Sequence, residues 1–328
     1  MDEAEKAVLK TIVYYDCLDY PLTLEELNTF LFSGVNLDIT FGLGALKDKD
    51  LIEEVDGFYF LKGREALFKV REERNRLAKG KWKKTFKAVR RLRIIPYLRL
   101  IFASGSLAMS NTSLKSDLDV LIVVKHGRIW LARILIILLL SLLGVRRTRY
   151  QKIAPDKICL NHFITDESLY IPRKSIYTAQ IYARLVPIFA DNEGLIDEFT
   201  EVNSWVGEWV RGWPECLKNQ KSKIKMQNDK SKIKNFLEKI LNTKLGNWLE
   251  NILRKYQLRR INNFHLTYKP GGRVKADDES LEFHPDSPEL RIIKRYNRKM
   301  DELGFPELGK ELDSGLISQI LTESVDLL

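Results

Sequence analysis

The chain has 328 residues, 45% of them hydrophobic and 30% charged, a balance that excludes a disordered polymer and leaves length for two or three domains with their own cores. A formal net charge of +10 favours polyanionic partners such as nucleoside triphosphates, nucleic acid or an anionic membrane surface, without choosing among them. Three widely spaced cysteines, Cys17, Cys159 and Cys216, argue against a disulfide framework and against structural zinc. The charged start, with no apolar stretch behind it, predicts a cytoplasmic protein.

Residues 1–63 read as three short helices followed by a hairpin. Ala4 to Tyr15 carries apolar residues at helical spacing, and Thr23 with Glu26 has the form of a capping box opening a second helix. Asn36 or Asp38 is suited to cap a third helix ending near Lys49, after which LIEEV and FYFL are strand-like runs joined by the turn pair Asp56 and Gly57. This is the element order of a winged helix-turn-helix. The third helix brings Lys47 and Lys49 but also Asp38, Asp48 and Asp50, and nothing suited to reading base edges. Protein contact or intramolecular packing is therefore expected of it before sequence-specific DNA binding.

Residues 64–95 form a basic helical connector, with Lys79, Lys81, Lys83, Lys84, Lys87, Arg90, Arg91 and Arg93 opposite a stripe of Trp82, Phe86 and Val89. Its basic face reads as solvated surface or as a tract that meets the phosphates of an RNA, DNA or lipid partner, or guides a polyanionic acceptor. Residues 129–145 are the most apolar run, yet they fall short of the roughly 20 residues a span requires and include Arg133. A buried helix is expected there, with a membrane-surface or re-entrant segment as the alternative, and integral membrane insertion is not. Residues 176–328 are expected to be mainly helical, with Trp205, Trp209 and Trp213 packing a turn apart. KSKIK repeats at 221–225 and 230–234, which predicts a flexible basic insertion near 217–235, and the turn-rich 269–288 predicts a loop or small hairpin.

The chemistry concentrates in residues 96–175. A strand over Leu98 to Ala103 ends at Ser104, Gly105 and Ser106, a small-residue turn able to present backbone N–H groups and a hydroxyl to phosphate oxygens. After ten more residues, Asp117 and Asp119 stand two apart in an apolar strand, where alternation points both to one side. Two such carboxylates repel unless a cation lies between them, and magnesium favours carboxylate and phosphate oxygens.

Gly-Ser, ten residues, then Asp-hydrophobic-Asp-hydrophobic resembles the signature of the DNA polymerase β-like nucleotidyltransferase superfamily, and GSLAMSN…SDLDVLIV is similar to its stand-alone prokaryotic members. The resemblance covers about residues 97 to 170. It implies an α+β fold with a small mixed-sheet core, here between the winged helix and a helical C-terminal region. It also implies triphosphate binding by Gly105 and Ser106, and Mg2+ or Mn2+ held by Asp117 and Asp119 as the catalytic residues. The expected function is transfer of a nucleoside monophosphate from a nucleoside triphosphate to a hydroxyl on RNA, DNA, a protein or a small molecule. The family's third carboxylate belongs on a strand at 157–164, where this chain has Asn161. An amide cannot act as a general base. Asp166 is the expected substitute, with Asp156 a weaker one, and His162 is expected on the opposite face from Asn161. The alternative function is a nucleotide-binding regulatory module that turns over weakly or not at all and signals through the winged helix.

Overall fold

The computed structural model describes residues 1–32, 38–221, 232–264, 272–285 and 287–310, and shows an α+β protein. Its first unit is α1 (Glu3–Asp16), β1 (Leu22–Thr23), α2 (Leu24–Thr29), α3 (Ile39–Asp48), β2 (Ile52–Val55) and β3 (Phe58–Leu61). Local chemistry fixes each start. Asp2 caps α1 by accepting from Glu5 N at 2.7 Å, Thr23 and Glu26 form the reciprocal capping box, and Asp38 accepts from Thr40 N at 2.9 Å. Asn36, the other candidate cap, lies outside the described residues. Asp56 and Gly57 both adopt positive φ, the requirement of the tight turn that pairs β2 with β3 in a three-stranded β1-β3-β2 sheet.

The 27-residue helix α4 (Ala66–Leu92) then leads to the main sheet. In chain order follow β4 (Leu98–Ala103), α5 (Gly105–Ala108), β5 (Leu118–Val124), α6 (Ile129–Leu142), β6 (Ile158–Thr165), α7 (Ile176–Ala183), β7 (Val186–Ala190) and α8 (Gly194–Val202). After a 3-10 turn at Ser204–Glu208 come α9 (Glu215–Lys221), α10 (Lys232–Leu241), α11 (Lys244–Asn262), β8 (Arg273–Ala276), β9 (Ser280–His284), α12 (Glu289–Glu302) and α13 (Pro306–Lys310). The six-stranded sheet has the order β7-β4-β5-β6-β9-β8, with β5 and β6 parallel and every other pair antiparallel. A parallel pair needs a crossover, which α6 supplies.

Alternation along β5 divides the core between two faces. Leu118, Val120, Ile122 and Val124 pack with α4 and α6 in one cluster, while Leu121 and Val123 pack with α7, α8 and the Trp205 and Trp213 side chains in the other. The start of α6 is buried, as expected, and packs with α11, while Leu138 and Leu142 near its end are exposed. Glu250 accepts from Trp130 N and Leu131 N, each at 2.9 Å, capping the helix, and Gln257 accepts from Arg133 at 2.6 Å. No helix among the described residues is long and apolar enough to cross a membrane.

Three expectations need correction. The sheet is not confined to residues 96–175: the C-terminal region, mainly helical as expected, adds β7 and the β8–β9 hairpin expected within 269–288, three of the six strands, and Ile292, Ile293, Tyr296 and Met300 of α12 join the core of the N-terminal unit. The basic insertion is bounded more tightly than 217–235, because α9 and α10 are helical on either side. Residues 222–231 lie outside the described part, and Lys234 is buried, donating to Leu98 O at 2.6 Å and pairing with Asp191 at 2.9 Å. On α4, Phe86 is exposed while Lys81 is buried, its ammonium held by Ser116 O at 2.7 Å and Asp156 at 2.8 Å. One member of the presumed phosphate-facing set is thus spent inside the fold, with a compensating carboxylate.

Candidate active site

The Gly-Ser turn and the aspartate pair meet because β4 runs antiparallel to β5, with Ala103 opposite Val120, so the end of one strand lies beside the start of the other. Ser104 N donates to Asp119 O at 3.0 Å, closing the ladder. The chain then turns through Gly105 at φ +60°, where a Cβ would stand 2.8 Å from Asp119 Oδ2. The left-handed conformation favours glycine, and a Cβ there would oblige the Asp119 carboxylate to shift. Gly105→Ala is accordingly expected to lower stability by about 1–3 kcal/mol and to displace the Asp119 carboxylate, a loss readable by denaturant unfolding.

Around the pair, Asp117 Oδ2 accepts from Arg147 Nη1 in a close ion pair, and Asp119 Oδ1 accepts from Asn161 Nδ2 at 2.9 Å. Oxygen atoms of both aspartates and the Cys159 sulfur lie within 4.8 Å of one another. Burial and then the neighbouring Asp117 charge push the Asp119 carboxyl well above its ordinary value of 3.8, against the opposing pull of Arg147 and of hydrogen bonds from Cys159 and Asn161. Burial, Asp119 and Asp117 likewise raise the Cys159 thiol, keeping it protonated. Two half-buried carboxylates beside a phosphate-sized turn suit magnesium, which is ordinarily held by one or two carboxylates, phosphate oxygens and water. A protonated thiol adds nothing to that set. Arg147 supplies the positive charge that an ion would otherwise bring to Asp117.

The turn stands between two cavities. The larger, about 690 Å³, is lined by Ser104, Gly105, Asp117, Asp119, Cys159 and Asn161 and continues past Arg147 toward the β8–β9 hairpin. The smaller, about 430 Å³, is lined by Gly105, Ser106 and Asp119 on one side and by Tyr14, Tyr15, Arg184 and Arg295 on the other. The loop after the turn is tied to the N-terminal unit as well: Asn111 Nδ2 donates to Leu18 O at 3.0 Å, and Arg74 donates to Asn111 Oδ1 at 2.7 Å.

Neither candidate third carboxylate reaches the pair. Asp166 lies just past β6, accepting from His126 N at 2.7 Å with Arg99 at 3.7 Å, and its own N–H donates to Val124 O at the opposite end of β5. Seven residues separate it from Cys159, the register partner of Asp119, which is about 20 Å at ~3.3 Å per strand residue. Asp156 is taken up by Lys81 and Lys84.

The strand residue that reaches the pair is Asn161, through its hydrogen bond to Asp119 Oδ1. His162 is buried, as the reading of it as a core histidine expects, but it is not set apart from Asn161, with which it lines the larger cavity. The reason is an irregularity in the pairing: Asp119 to Leu121 on β5 faces Cys159 to His162 on β6, one residue more, and such a bulge breaks strict alternation.

Three further groups escaped the sequence reading. Arg147 comes from the loop after α6, and no spacing rule links it to Asp117. His162, Glu282 and His284 offer nitrogen and oxygen atoms within 4.8 Å of one another where β6 pairs with β9. Burial lowers both imidazoles to about 4, so they are neutral near pH 7; against its own burial, Glu282 is held down to about 2 by Arg273 and the two histidines. The E-x-H spacing of Glu282 and His284 was the available signal. Arg146 and Arg149 flank Arg147 in sequence and share the larger cavity with it. Compared with known protein families, with curated proteins and with solved structures, the chain finds no match in any of the three.

Proposed function

We propose that this chain binds a magnesium or manganese nucleoside triphosphate at the Gly105–Ser106 turn and the Asp117/Asp119 pair, and transfers its nucleoside monophosphate to a hydroxyl acceptor. The observation that carries the reading is the close approach of the Gly105 backbone to the Asp119 carboxylate. It brings a phosphate-sized turn onto a carboxylate pair in the arrangement that the resemblance to the polymerase β-like superfamily implies. In this reading Asp117 and Asp119 would hold the ion, and Arg147, which now pairs with Asp117, is the cation beside it. The ion would supply charge neutralisation for the triphosphate and the leaving pyrophosphate. Backbone N–H groups and the Ser106 hydroxyl orient the phosphates, and the larger cavity leaves room beyond the pair for the acceptor.

Asn161 favours a second reading, a nucleotide-binding regulatory module with weak or no turnover, since the third position offers a hydrogen-bond donor in place of a base. The contacts of Asn111 and Met109 with the N-terminal unit give that reading a route, because the loop that follows the nucleotide turn is anchored to α1's end and to α4. Three helices and the β2–β3 hairpin support the winged-helix reading of that unit. On α3 and its cap the two lysines are engaged with Glu54 and Glu5 while Phe41 is 70% exposed, which supports a protein partner over DNA.

Calorimetry with ATP, GTP, CTP and UTP, each with and without magnesium, tests the common core of both readings. Magnesium-dependent binding that is lost in Asp117→Ala/Asp119→Ala is expected; a folded wild type that binds none of the four defeats both. Release of pyrophosphate in the presence of candidate acceptors then separates enzyme from sensor.

A further inference from the structure

The larger cavity holds more positive charge than the aspartate pair can answer. Six arginines line it: Arg133, Arg146, Arg147, Arg149, Arg260 and Arg273. Arg147 is paired with Asp117, and Arg273 with Glu282 and Glu289. The other four have no carboxylate partner among the described residues. Their contacts are all with neutral groups. Arg133 donates to Gln257 at 2.6 Å, Arg146 to Ser141 Oγ at 2.7 Å and Arg260 to Tyr256 OH at 3.2 Å, while Arg149 lies 4.7 Å from the Phe264 ring centre.

Three separate segments bring them together: α6 carries Arg133, the loop behind it Arg146 and Arg149, and the end of α11 carries Arg260. Arg133 and Arg146 are half-buried, whereas Arg149 and Arg260 stand exposed at the mouth. The Arg133 Nε is fully buried with no hydrogen-bond partner among the described residues. Burial first, then Arg149, Arg146 and Arg260, lower the Arg133 guanidinium to about 10, and Arg146 is lowered in the same direction by burial, Arg260 and Arg149. The four therefore feel one another's charge. Like charges assembled in a concave, partly desolvated space, each still holding unused N–H donors, are the complement of a compact oxyanion; planar guanidinium forks match both carboxylate and phosphate oxygens, and four of them together call for the multiply charged phosphate.

We propose that Arg133, Arg146, Arg149 and Arg260 form a phosphate-binding subsite, distinct from the Gly105–Ser106 turn and separated from it by the Asp117–Arg147 pair. The inference stands on the arginines and does not depend on nucleotidyl transfer. The phosphate has two possible sources, the nucleotide itself or a phosphorylated acceptor whose hydroxyl is presented to the aspartates.

The test is calorimetric titration of inorganic pyrophosphate, without magnesium, into the wild type, Arg146→Gln/Arg149→Gln and Asp117→Asn/Asp119→Asn. The arginine variant is expected to bind at least tenfold more weakly while keeping or raising its melting temperature, because substitution relieves repulsion. The aspartate variant is expected to bind pyrophosphate at least as well as the wild type, even though magnesium-dependent nucleotide binding is lost. Equal affinity in the arginine variant, or no binding by the folded wild type, overturns the subsite. Failure of the nucleotide reading appears elsewhere, as nucleotide binding indifferent to the aspartates. Titrating magnesium nucleotides into the arginine variant assigns the source: a matching tenfold loss identifies the nucleotide's own phosphates, and unchanged affinity identifies the acceptor's.

Discussion

Asp119→Asn is expected to abolish magnesium-dependent nucleotide binding and, in the absence of metal at pH 8, to leave the protein more stable than the wild type by about 1–2 kcal/mol. The sign follows from the direction of the Asp119 shift. Its carboxyl in the fold binds a proton more tightly than in the unfolded chain, because burial and the Asp117 charge both oppose ionisation. Below the ordinary aspartate value of 3.8 both states are protonated and no penalty exists. As pH rises from there through the higher folded value, the unfolded state ionises first and folding stability falls, reaching its full loss above the folded value. The magnitude is discounted because the side chain is only half-buried and lines an open cavity. The amide is close to isosteric with the carboxylate and still offers an oxygen to Asn161 Nδ2. Denaturant unfolding at pH 4 and pH 8, with and without magnesium, checks the whole pattern. Wild type and variant should converge at pH 4 and diverge at pH 8, and magnesium should restore the wild type alone. A variant less stable than the wild type at pH 8 would show that Asp119 serves the fold and would remove the argument for a held cation.

The features legible in the sequence are those set by neighbours along the chain. The Thr23–Glu26 capping box, the Asp38 cap, the Asp56–Gly57 turn and the strand–turn–strand that carries Gly105, Asp117 and Asp119 each depend on residues close by in the chain. The burial of the start of α6 was legible too, from its apolar run. What escaped the reading depends on pairing between distant segments. β7 sits beside β4, and β9 beside β6, across intervals that no periodicity spans; the β8–β9 hairpin itself was expected within 269–288, but its place at the edge of the main sheet was not. Lys81 looked like surface because its Asp156 partner is remote in sequence. The placement of His162 failed for a different reason: alternation is a sound rule until a bulge adds a residue, and nothing in ICLNHFIT marks one. Within the site, the two aspartates and Gly105 could be read locally, whereas Arg147 and the arginines around it are gathered only by the fold.

The other large effect expected is a gain. Asn161→Asp places a carboxylate where Asn161 Nδ2 now lies 2.9 Å from Asp119 Oδ1, and a positioned general base contributes about 10²–10⁴-fold to a proton-transfer step. If transfer is limited by removal of the acceptor's proton, the variant should raise the rate of pyrophosphate release at least ~100-fold with a suitable acceptor. Two accompanying changes follow from the same geometry. Without metal the variant should be less stable than the wild type above the ordinary aspartate range, since a hydrogen-bond donor to Asp119 is replaced by a third negative charge beside a carboxyl that already resists ionisation. With magnesium it should bind the ion more tightly, since three carboxylates in place of two attract it. Steady-state pyrophosphate release, thermal unfolding at pH 8 and a magnesium titration measure the three separately. Tighter magnesium and lower metal-free stability with no gain in turnover would show that the carboxylate arrived in place and that the wild-type site lacks more than a base. That outcome would favour the regulatory reading, in which Asn161 holds Asp119 in one orientation for binding and the N-terminal unit, tied to the same loop through Asn111, responds to the occupied site.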